Sequence, residues 1–289
     1  MNTMQSLAVA LLATSLLGCT RTEPTGGDGS ASASKGAIAV KGSDTMVILG
    51  QRWAEEYRKK SPGVSVQVTG GGSGTGIAAL INGTTDICQA SRPMKDKERA
   101  DVKAKRSAEV VETKVALDAI AVYMNEKNAM TEIAMADLAK IYLGQAKSWK
   151  DVGGGEGDIV VYGRENNSGT YAYFKEHVLE NKDFAQSVQT LAGTSAVASA
   201  VKGDERGIGY GGIAYLEGVR ALKGKKDASA PAISPSLATA QDGSYPLARF
   251  LYFYTAGART GSSKQFIDWV TGPDGQKVIE DVGYYPLPK

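Results

Sequence analysis

VSVQVTGGGSGTGIAALING (residues 64–83) places five glycines between a strand-like run and a helix-like run. Valine alternates with polar residues over 64–68, which is the period of a half-buried strand. Residues 77–81 are apolar and are followed by Asn-Gly, which is typical of a short helix and its end. Glycine is entropically costly to order, so the cluster indicates either a flexible linker or a loop whose backbone must closely approach another group. Because it joins a strand to a helix inside one βα unit, the loop interpretation is favoured.

The alternation of strands and helices continues on both sides of this unit. Apolar runs bounded by turn residues predict strands at 38–40, 64–68, 87–90, 115–124, 159–162, 208–210 and 249–255. The remaining periodic or charged stretches predict helices at 49–57, 77–81, 95–105, 135–143, 171–179, 262–270 and 274–281. Strands that alternate with helices predict an α/β fold with mostly parallel sheets, and no internal repeat is found.

Length and charge limit the classes of function. With 289 residues, 42% of them hydrophobic, the chain can bury a sizeable core, more naturally in two lobes than in one. The formal net charge is +2 and no long run of one sign occurs, so nothing indicates nucleic-acid binding. A small anion is compatible with this balance, because such a site depends on local donors more than on global charge.

The amino terminus has the pattern of an export signal. Residues 7–17 are apolar or small, and this segment is too short to span a bilayer as a helix. It ends in LLGC (16–19), which resembles the lipobox of bacterial lipoproteins and implies cleavage before Cys19 and acylation of its thiol. The prediction is a signal peptide at 1–18 and a lipid-anchored flexible tether at 19–36. An ordinary signal peptide with an incidental cysteine is the alternative.

Few residues could support catalysis or metal binding. The motifs of a P-loop, a hydrolase nucleophile elbow and a Rossmann fingerprint are all missing from the sequence. His177, the only histidine, lies among charged residues as a surface side chain does, and Cys88 lies in an apolar run as a small buried hydrophobe does. We therefore expect no zinc or other metal site and no cofactor. A phosphatase-like enzyme is the catalytic alternative, but no activated nucleophile supports it.

Three strand-to-helix turns share one chemistry. They are GSDT (42–45), GSGTG (72–76) and NSGT (167–170), and each places hydroxyls and unpaired N–H groups at a helix amino terminus. The positive end of the helix dipole lies there, so a tetrahedral oxyanion suits such a place. The simpler interpretation is that each serine or threonine only caps its helix. Capping does not account for the glycines on both sides of Ser73, so convergence of the turns on one anion is favoured.

Two charged residues near these turns sharpen the prediction. Arg164 lies four residues before Ser168 and offers a forked guanidinium for bidentate contact with an oxyanion. Asp86 begins the strand at 87–90, and a carboxylate accepts a hydrogen bond only from a ligand that still carries a proton. Phosphate is protonated near neutral pH and sulfate is not, so Asp86 would reject sulfate by repulsion. A surface or capping role for Asp86 is the alternative.

Motifs along nearly all of residues 37–288 resemble the PstS family, the substrate-binding proteins of the high-affinity phosphate ABC importer. The matching segments are GSDTM, GGGSGTGI, TTDICQASRPM, ALDAIAVYMN, IYLGQAKSWKDVGG, RENNSGT, GIGYGG, YPLARFLYFYT and FIDWVTGPDGQKVIEDVGYYPL. The resemblance implies a protein that captures inorganic phosphate and is not an enzyme. Carried over position by position, it implies phosphate contacts from Thr45, Met46 (through its backbone N–H), Ser73, Asp86, Arg92, Arg164, Ser168, Gly169 and Thr170. Ser43 and Ser91 lie in matching motifs as well.

The family's fold implies a two-lobed α/β protein of the type II periplasmic-binding-protein class, with two mixed, mostly parallel sheets joined by two crossing strands. The crossings fit ALDAIAVYMN and ARFLYFYT, which gives lobe 1 at 37–121 with 250–289 and lobe 2 at 122–249. A monomer in the periplasm, or on the outer face of the cell membrane, would pass phosphate to the permease and ATPase subunits of an ABC importer. Molybdate, tungstate and sulfate are the alternative ligands, which Asp86 disfavours, and a sensing role alongside transport stays open.

Overall fold

The computed structural model describes residues 36–288. The predicted signal peptide, the lipobox with Cys19 and nearly all of the predicted tether lie outside the described residues. Within residues 36–288, no helix is both long enough and apolar enough to cross a bilayer. The same residues contain no group of histidine, cysteine, aspartate and glutamate side chains that could hold a metal ion.

Strands and helices alternate along the described chain. The strands are β1 (Gly36–Gly42), β2 (Val64–Thr69), β3 (Ile87–Ala90), β4 (Val110–Met124), β5 (Glu132–Ala134), β6 (Val160–Arg164), β7 (Gln189–Leu191), β8 (Gly207–Gly212), β9 (Arg220–Ala221), β10 (Lys223–Lys225) and β11 (Ala248–Ala256). The α-helices are α1 (Val47–Lys60), α2 (Ser73–Asn82), α3 (Asp96–Arg106), α4 (Met135–Tyr142), α5 (Gly169–His177), α6 (Thr194–Gly203), α7 (Leu237–Gln241), α8 (Gly261–Thr271) and α9 (Pro273–Val282). Short 3-10 turns occur at Asp44–Met46, Trp149–Val152 and Ile213–Tyr215.

One mixed sheet organises these elements. Its hydrogen-bonded order is β2-β1-β3-β11-β4-β8-β6-β7, with β9 paired to β4 beside this path, and β5 and β10 form a separate two-stranded sheet. The pairs β1–β2, β1–β3, β6–β7 and β6–β8 are parallel. In contrast, β11 and β4 are antiparallel to each other and to their outer neighbours β3 and β8. The predicted α/β class is confirmed, and the parallel pairs flank an antiparallel centre.

The long strand β4 belongs to both halves of this sheet. Its residues 110–119 pair with β11, and its residues 120–124 pair with β8. We call β2-β1-β3-β11 with residues 110–119 the first half-sheet, and β8-β6-β7 with residues 120–124 the second half-sheet. A strand of 15 residues spans about 50 Å, which is long enough to serve two sets of partners. The sequence predicts two mixed sheets joined by two crossing strands, whereas the structure has one main mixed sheet, whose hydrogen-bonded path runs continuously through β4, and one small sheet.

Each half-sheet is covered by its own aromatic packing. On the first, Trp53 is completely buried, meets the Phe253 ring edge-on at 5.5 Å and donates its indole N–H to the Gly275 carbonyl at 2.9 Å. On the second, the buried rings of Phe174 and Tyr210 stack with centroids 4.0 Å apart. Such aromatic pairs contribute about 0.5–1.5 kcal/mol beyond the area they bury. The strands that lead into the turns are therefore held by well-packed aromatic side chains in both half-sheets.

Candidate anion-binding site

The carboxyl ends of the parallel strands lead into the predicted turns. Strand β1 leads into the turn with Ser43 and Thr45, β2 into the glycine loop at 70–73, β3 into Ser91, and β6 into the turn at 165–168. In open α/β sheets, ligands bind outside the carboxyl ends of the strands. These turns are therefore where a binding site is expected from topology alone.

Five buried hydroxyl-bearing residues from these turns form a cluster, which we call the hydroxyl cluster: Ser43, Thr45, Ser73, Ser91 and Thr170. The Ser43 hydroxyl donates to Ser91 Oγ at 2.9 Å, and the Ser91 backbone N–H donates to Ser73 Oγ at 3.0 Å. The hydroxyl oxygens of Thr45 and Thr170, which come from opposite half-sheets, lie 2.8 Å apart. The hydroxyl cluster thus joins all three turns that the sequence singles out.

Glycines permit the close contact between these turns. A Cβ on Gly169 would lie 2.3 Å from Ser73 Oγ, and a Cβ on Gly72 would lie 2.6 Å from the Asn167 carbonyl oxygen. The φ of Gly72 is 89°, a backbone conformation that side chains rarely adopt. The Gly74 N–H donates to the same Asn167 carbonyl at 2.9 Å. The glycine cluster is therefore a loop of close backbone approach and not a linker.

Helix capping accounts for only one of the three turns. Ser168 is the N-cap of α5, and its Oγ accepts the Tyr171 N–H at 3.2 Å. Ser43 makes no side-chain capping bond to the 3-10 turn that it precedes. Ser73 is the first residue of α2, whose N-cap is Gly72. The hydroxyls of Ser43 and Ser73 contact the hydroxyl cluster instead.

Arg164 is a buried cation beside the hydroxyl cluster. Its side chain is 1% exposed, and its Nη1 donates to Thr194 Oγ1 at 2.8 Å while its Nη2 donates to Asp44 Oδ2 at 2.7 Å. Its Nε is also buried and has no hydrogen-bond partner among residues 36–288. An unpaired buried donor costs about 1–3 kcal/mol, and more on a charged group, so it calls for an explanation. This N–H is a candidate contact for an anion.

Asp44 is the carboxylate of the site, and sequence reasoning misses it. Besides accepting from Arg164, it accepts the Gly71 N–H through Oδ1 at 2.7 Å. Its backbone carbonyl accepts the Tyr215 hydroxyl at 2.8 Å. Burial raises the pKa of Tyr215, so this hydroxyl keeps its proton and remains a donor. The available signal is the GSDT turn itself. Sequence reasoning interprets its hydroxyl residues as anion contacts, whereas it assigns no role to the aspartate between them.

The structure places Asp86 outside the hydroxyl cluster, although the sequence predicts it as a ligand contact. Asp86 is exposed at the amino end of β3, where its Oδ2 accepts the Ala39 N–H at 2.8 Å and its own N–H donates to the Ala39 carbonyl at 3.0 Å. Ser91, which does lie in the hydroxyl cluster, follows the carboxyl end of the same strand. Five residues of extended chain span about 16 Å. The Asp86 carboxylate therefore pairs with the edge of β1 instead of a ligand.

Two further predicted contacts are engaged elsewhere in the protein. Both terminal nitrogens of Arg92 donate to the Glu98 carboxylate, at 2.8 and 2.7 Å. Burial works against ionisation of Glu98, yet Arg92 and the Lys95 N–H hold its pKa below the usual value. The Met46 N–H donates to the Ser43 carbonyl at 3.0 Å. Phosphate contacts from Arg92 and Met46 thus remain predictions that this geometry does not support.

A second buried ion pair adjoins the hydroxyl cluster and is also missed by sequence reasoning. Arg249 on β11 faces Asp118 on β4, with the two side chains 2% and 0% exposed. Arg249 also donates to the Ser91 carbonyl at 2.8 Å and to Thr170 Oγ1 at 3.0 Å. The signal in the sequence is that each is a single charge inside an apolar run, ALDAIAV and ARFLYFY.

Comparisons with known proteins place this chain in one family. The profile of a family described as a PBP superfamily domain matches residues 28–274. Phosphate-binding protein PstS of Pseudomonas aeruginosa is 33% identical over 275 residues, which cover 89% of this chain and 85% of that protein. A Clostridium perfringens protein assigned as a phosphate ABC transporter substrate-binding protein, solved with bound phosphate, has a TM-score of 0.79 and 26% identity, covering 88% of this chain and all of that one. An ABC-type phosphate transport receptor of Vibrio cholerae has a TM-score of 0.70 and 26% identity, covering 87% of this chain. The chain belongs to the PstS family of phosphate-binding proteins.

Proposed function

We propose that this chain binds inorganic phosphate at the hydroxyl cluster and delivers it to an ABC importer. The observation that carries the proposal is the buried Arg164, which lies beside turns rich in hydroxyls and glycine and whose Nε has no partner in the described part of the chain. Family membership supports the same ligand, because the relatives are phosphate-binding and phosphate transport proteins. Since the family consists of binding proteins of transport systems, the chain acts as a binding protein and not as an enzyme.

The site offers the donors that a tetrahedral oxyanion requires. Each hydroxyl of the hydroxyl cluster can turn its proton from a neighbouring side chain to a ligand oxygen. The first N–H groups of an α-helix have no intrahelical acceptor and lie at the positive end of its dipole, and in α5 these belong to Gly169 and Thr170. The proposed phosphate contacts are therefore Thr45, Ser73, Arg164, Ser168, Gly169 and Thr170, with Ser43 and Ser91 behind them.

Asp44 takes the selective role that the sequence assigns to Asp86. The Asp44 side chain is 17% exposed and is held by Arg164. Near neutral pH, phosphate retains a proton that this carboxylate can accept, whereas sulfate, molybdate and tungstate carry none. Like charge without a compensating hydrogen bond then disfavours the proton-free anions.

The proposed lobes are residues 37–121 with 250–289, and residues 122–249, as in a type II periplasmic-binding-protein fold. The pairing of β4 supports this division, because its partner changes from β11 to β8 between residues 119 and 120. The hydroxyls of Thr45 and Thr170 come from different lobes and are 2.8 Å apart. Entry of a phosphate between them therefore requires the lobes to separate, and capture closes them again.

The placement of the protein rests on its first residues. We infer a lipid on Cys19 and a tether to residue 36, which hold a monomer in the periplasm or on the outer face of the cell membrane, near the permease and ATPase subunits of the importer. The substitution Cys19→Ala is expected to release the protein from the membrane fraction and to leave its phosphate affinity unchanged. Continued membrane association of this variant would contradict the lipid anchor.

Calorimetric titration of the purified full chain with phosphate, arsenate, sulfate and molybdate tests the function. We expect phosphate to bind at least about 100-fold more tightly than sulfate, the factor that a lost hydrogen bond and an uncompensated like charge produce together. Arsenate has the same protonation chemistry and is expected to bind as phosphate does. Preferred binding of molybdate or sulfate would favour the alternative oxyanions, and no binding of any anion would overturn the proposal.

A further inference from the structure

The Asp118–Arg249 pair connects more of the site than an ordinary structural ion pair does. The Nε and Nη2 of Arg249 donate to Asp118 Oδ2 at 3.0 and 2.8 Å. The other oxygen of Asp118 accepts the Ile213 N–H, in the segment that follows β8, at 3.0 Å. Arg249 reaches Ser91, which follows β3 of the first half-sheet, and Thr170 on α5, which follows β6 of the second half-sheet. One buried guanidinium thus touches a residue of the hydroxyl cluster on each side.

The Asp118–Arg249 pair is not expected to increase folding stability relative to apolar residues of similar size. Two charges removed from water lose their hydration, and replacing a buried ion pair by apolar residues of similar size is often neutral or stabilising. Complete burial raises the pKa of the Asp118 carboxyl, an effect that Arg249 opposes. Beyond their bonds to each other, the two side chains bond to the Ile213 N–H, the Ser91 carbonyl and Thr170 Oγ1, which points to a role in orienting these three groups.

The contact with Thr170 sets the direction of a hydroxyl proton. A guanidinium is a donor only and is always charged, so Thr170 Oγ1 must accept at this contact. The positive charge repels the hydroxyl proton, so the O–H bond points away from Arg249 and toward Thr45, whose oxygen lies 2.8 Å away. A phosphate oxygen needs a donor at this place.

We propose that Arg249, held in place by Asp118, is a positioning residue that fixes the Thr170 hydroxyl as a hydrogen-bond donor toward the bound anion. The inference rests on the proposed phosphate function of the same site. Through the Ser91 carbonyl the same guanidinium also holds the segment whose N–H donates to Ser73 Oγ. Arg249 thereby orients donors on both sides of the ligand without itself being required to touch it.

A double-mutant cycle tests this inference. The combined substitution Asp118→Leu/Arg249→Met removes the pair without leaving one charge buried and unpaired. We expect it to weaken phosphate binding by the full chain about tenfold or more, the effect of one charge-assisted hydrogen bond. In a Thr170→Val background the same combined substitution should cause less than about a twofold further loss, because the hydroxyl through which Arg249 acts is already gone.

Melting temperature and a matched pair of substitutions separate positioning from folding. Lys225→Met/Glu132→Leu removes another ion pair between facing strands, β10 and β5, far from these turns in the topology, and should leave phosphate affinity unchanged. If Asp118→Leu/Arg249→Met lowers the melting temperature strongly, the cycle is run with Arg249→Lys, which retains the charge but cannot make the forked contact.

The outcomes distinguish the inference from the function on which it rests. Wild-type affinity in Asp118→Leu/Arg249→Met, or losses that multiply independently with Thr170→Val, would overturn the positioning role while leaving phosphate binding in place. A wild-type chain that binds no phosphate would overturn both. If the wild-type chain binds phosphate and the losses of affinity in the two backgrounds do not multiply, the positioning role and the phosphate function are both supported.

Discussion

The two ends of β3 carry similar residues but contribute differently to the molecule. At the amino end, Asp86 is exposed and pairs with the backbone of Ala39. At the carboxyl end, Ser91 is completely buried among hydroxyls from two other turns. Helix amino termini converge only at the carboxyl edge of parallel strands, and with them the unpaired N–H groups and the positive ends of the dipoles. The position of a polar residue relative to its strand therefore decides its role more than its chemical type does.

Removing Arg164, the buried cation at the carboxyl edge, should have the largest effect on phosphate affinity. Arg164→Met deletes the buried guanidinium and leaves Asp44 without its partner, so phosphate affinity should fall about 100-fold or more in calorimetry. Arg106→Met, near Asp86 at the opposite edge, removes an arginine whose Nη1 donates to the Leu80 carbonyl, and should leave the affinity unchanged. Equal losses in the two variants would break the contrast between the edges.

A methyl group at the meeting point of the turns should have the next largest effect. In Gly169→Ala the new Cβ would lie 2.3 Å from Ser73 Oγ, so the turns must stay apart. We expect phosphate to bind about 10- to 100-fold more weakly, the range for one lost charge-assisted contact. Gly155→Ala is the matched control, because a Cβ there has no atom of residues 36–288 within 4 Å. Unchanged affinity in Gly169→Ala would show that close contact at this point is not needed.

Substitution of Asp44 at the carboxyl edge and of Asp86 at the amino edge shows which edge determines the preference for phosphate over sulfate. Asp44→Asn should lower the ratio of the sulfate to the phosphate dissociation constant by about tenfold or more, because the negative charge is gone and the amide can donate to a proton-free oxygen. Asp86→Asn should leave the ratio as in the wild type. The two ratios are measured by calorimetry at one pH and one salt concentration. A change in Asp86→Asn alone would restore the role that the sequence suggests for it.

The smallest effect on binding is expected at Arg92, which follows Ser91 but bonds to Glu98. Arg92→Met should change the phosphate dissociation constant less than about threefold and lower the free energy of unfolding by about 1–3 kcal/mol at pH 7, because the pair is bidentate and its side chains are only 11% and 21% exposed. Because the pKa of Glu98 is lowered in the folded protein, this pair stabilises above the unfolded pKa of about 4.3. Its contribution disappears as pH falls through the folded pKa.

Urea unfolding of the wild type and Arg92→Met at neutral and at acid pH measures this difference. A stability gap that persists below the folded pKa of Glu98 would show that Arg92 acts through packing instead of charge. A large loss of phosphate affinity would return Arg92 to the site.

Local patterns predict the turns, and long-range pairing decides which side chains meet there. Glycine, serine and threonine after an apolar run are enough to place the turn after β2, although α2 begins at Ser73 and not at the predicted residue 77. The Arg249–Asp118 pair joins residues 131 positions apart, and no local period records the antiparallel register that brings them together. The choice between Asp44 and Asp86 likewise depends on which end of a strand faces the ligand. Neither residue type nor spacing contains that information.

The same limit applies to the sheet. Alternating runs predict the α/β class, but the polar residues 112–114 hide the first part of β4, whose predicted start lies at 115. Its full length is what lets one strand join the two half-sheets. Strands β5, β9 and β10 have only two or three residues, too few to show a period. They form through tertiary pairing and carry little pattern of their own.

The ribbon of β4 and β11 gives the proposed lobe motion a single soft direction. Two antiparallel strands side by side are thin across their face and wide in their plane, and all nine residues of β11 pair with β4, with one register shift between Leu251 and Tyr252. Such a ribbon bends across its face at small elastic cost but resists sliding, which would break the ladder. In the proposed motion, one half-sheet therefore rotates relative to the other about β4, the strand that they share. Each closure then returns the same turns to the same contacts. The proposed closure then requires a rotation near residues 119 and 120, where β4 changes its partner, and not a search between two independently moving bodies.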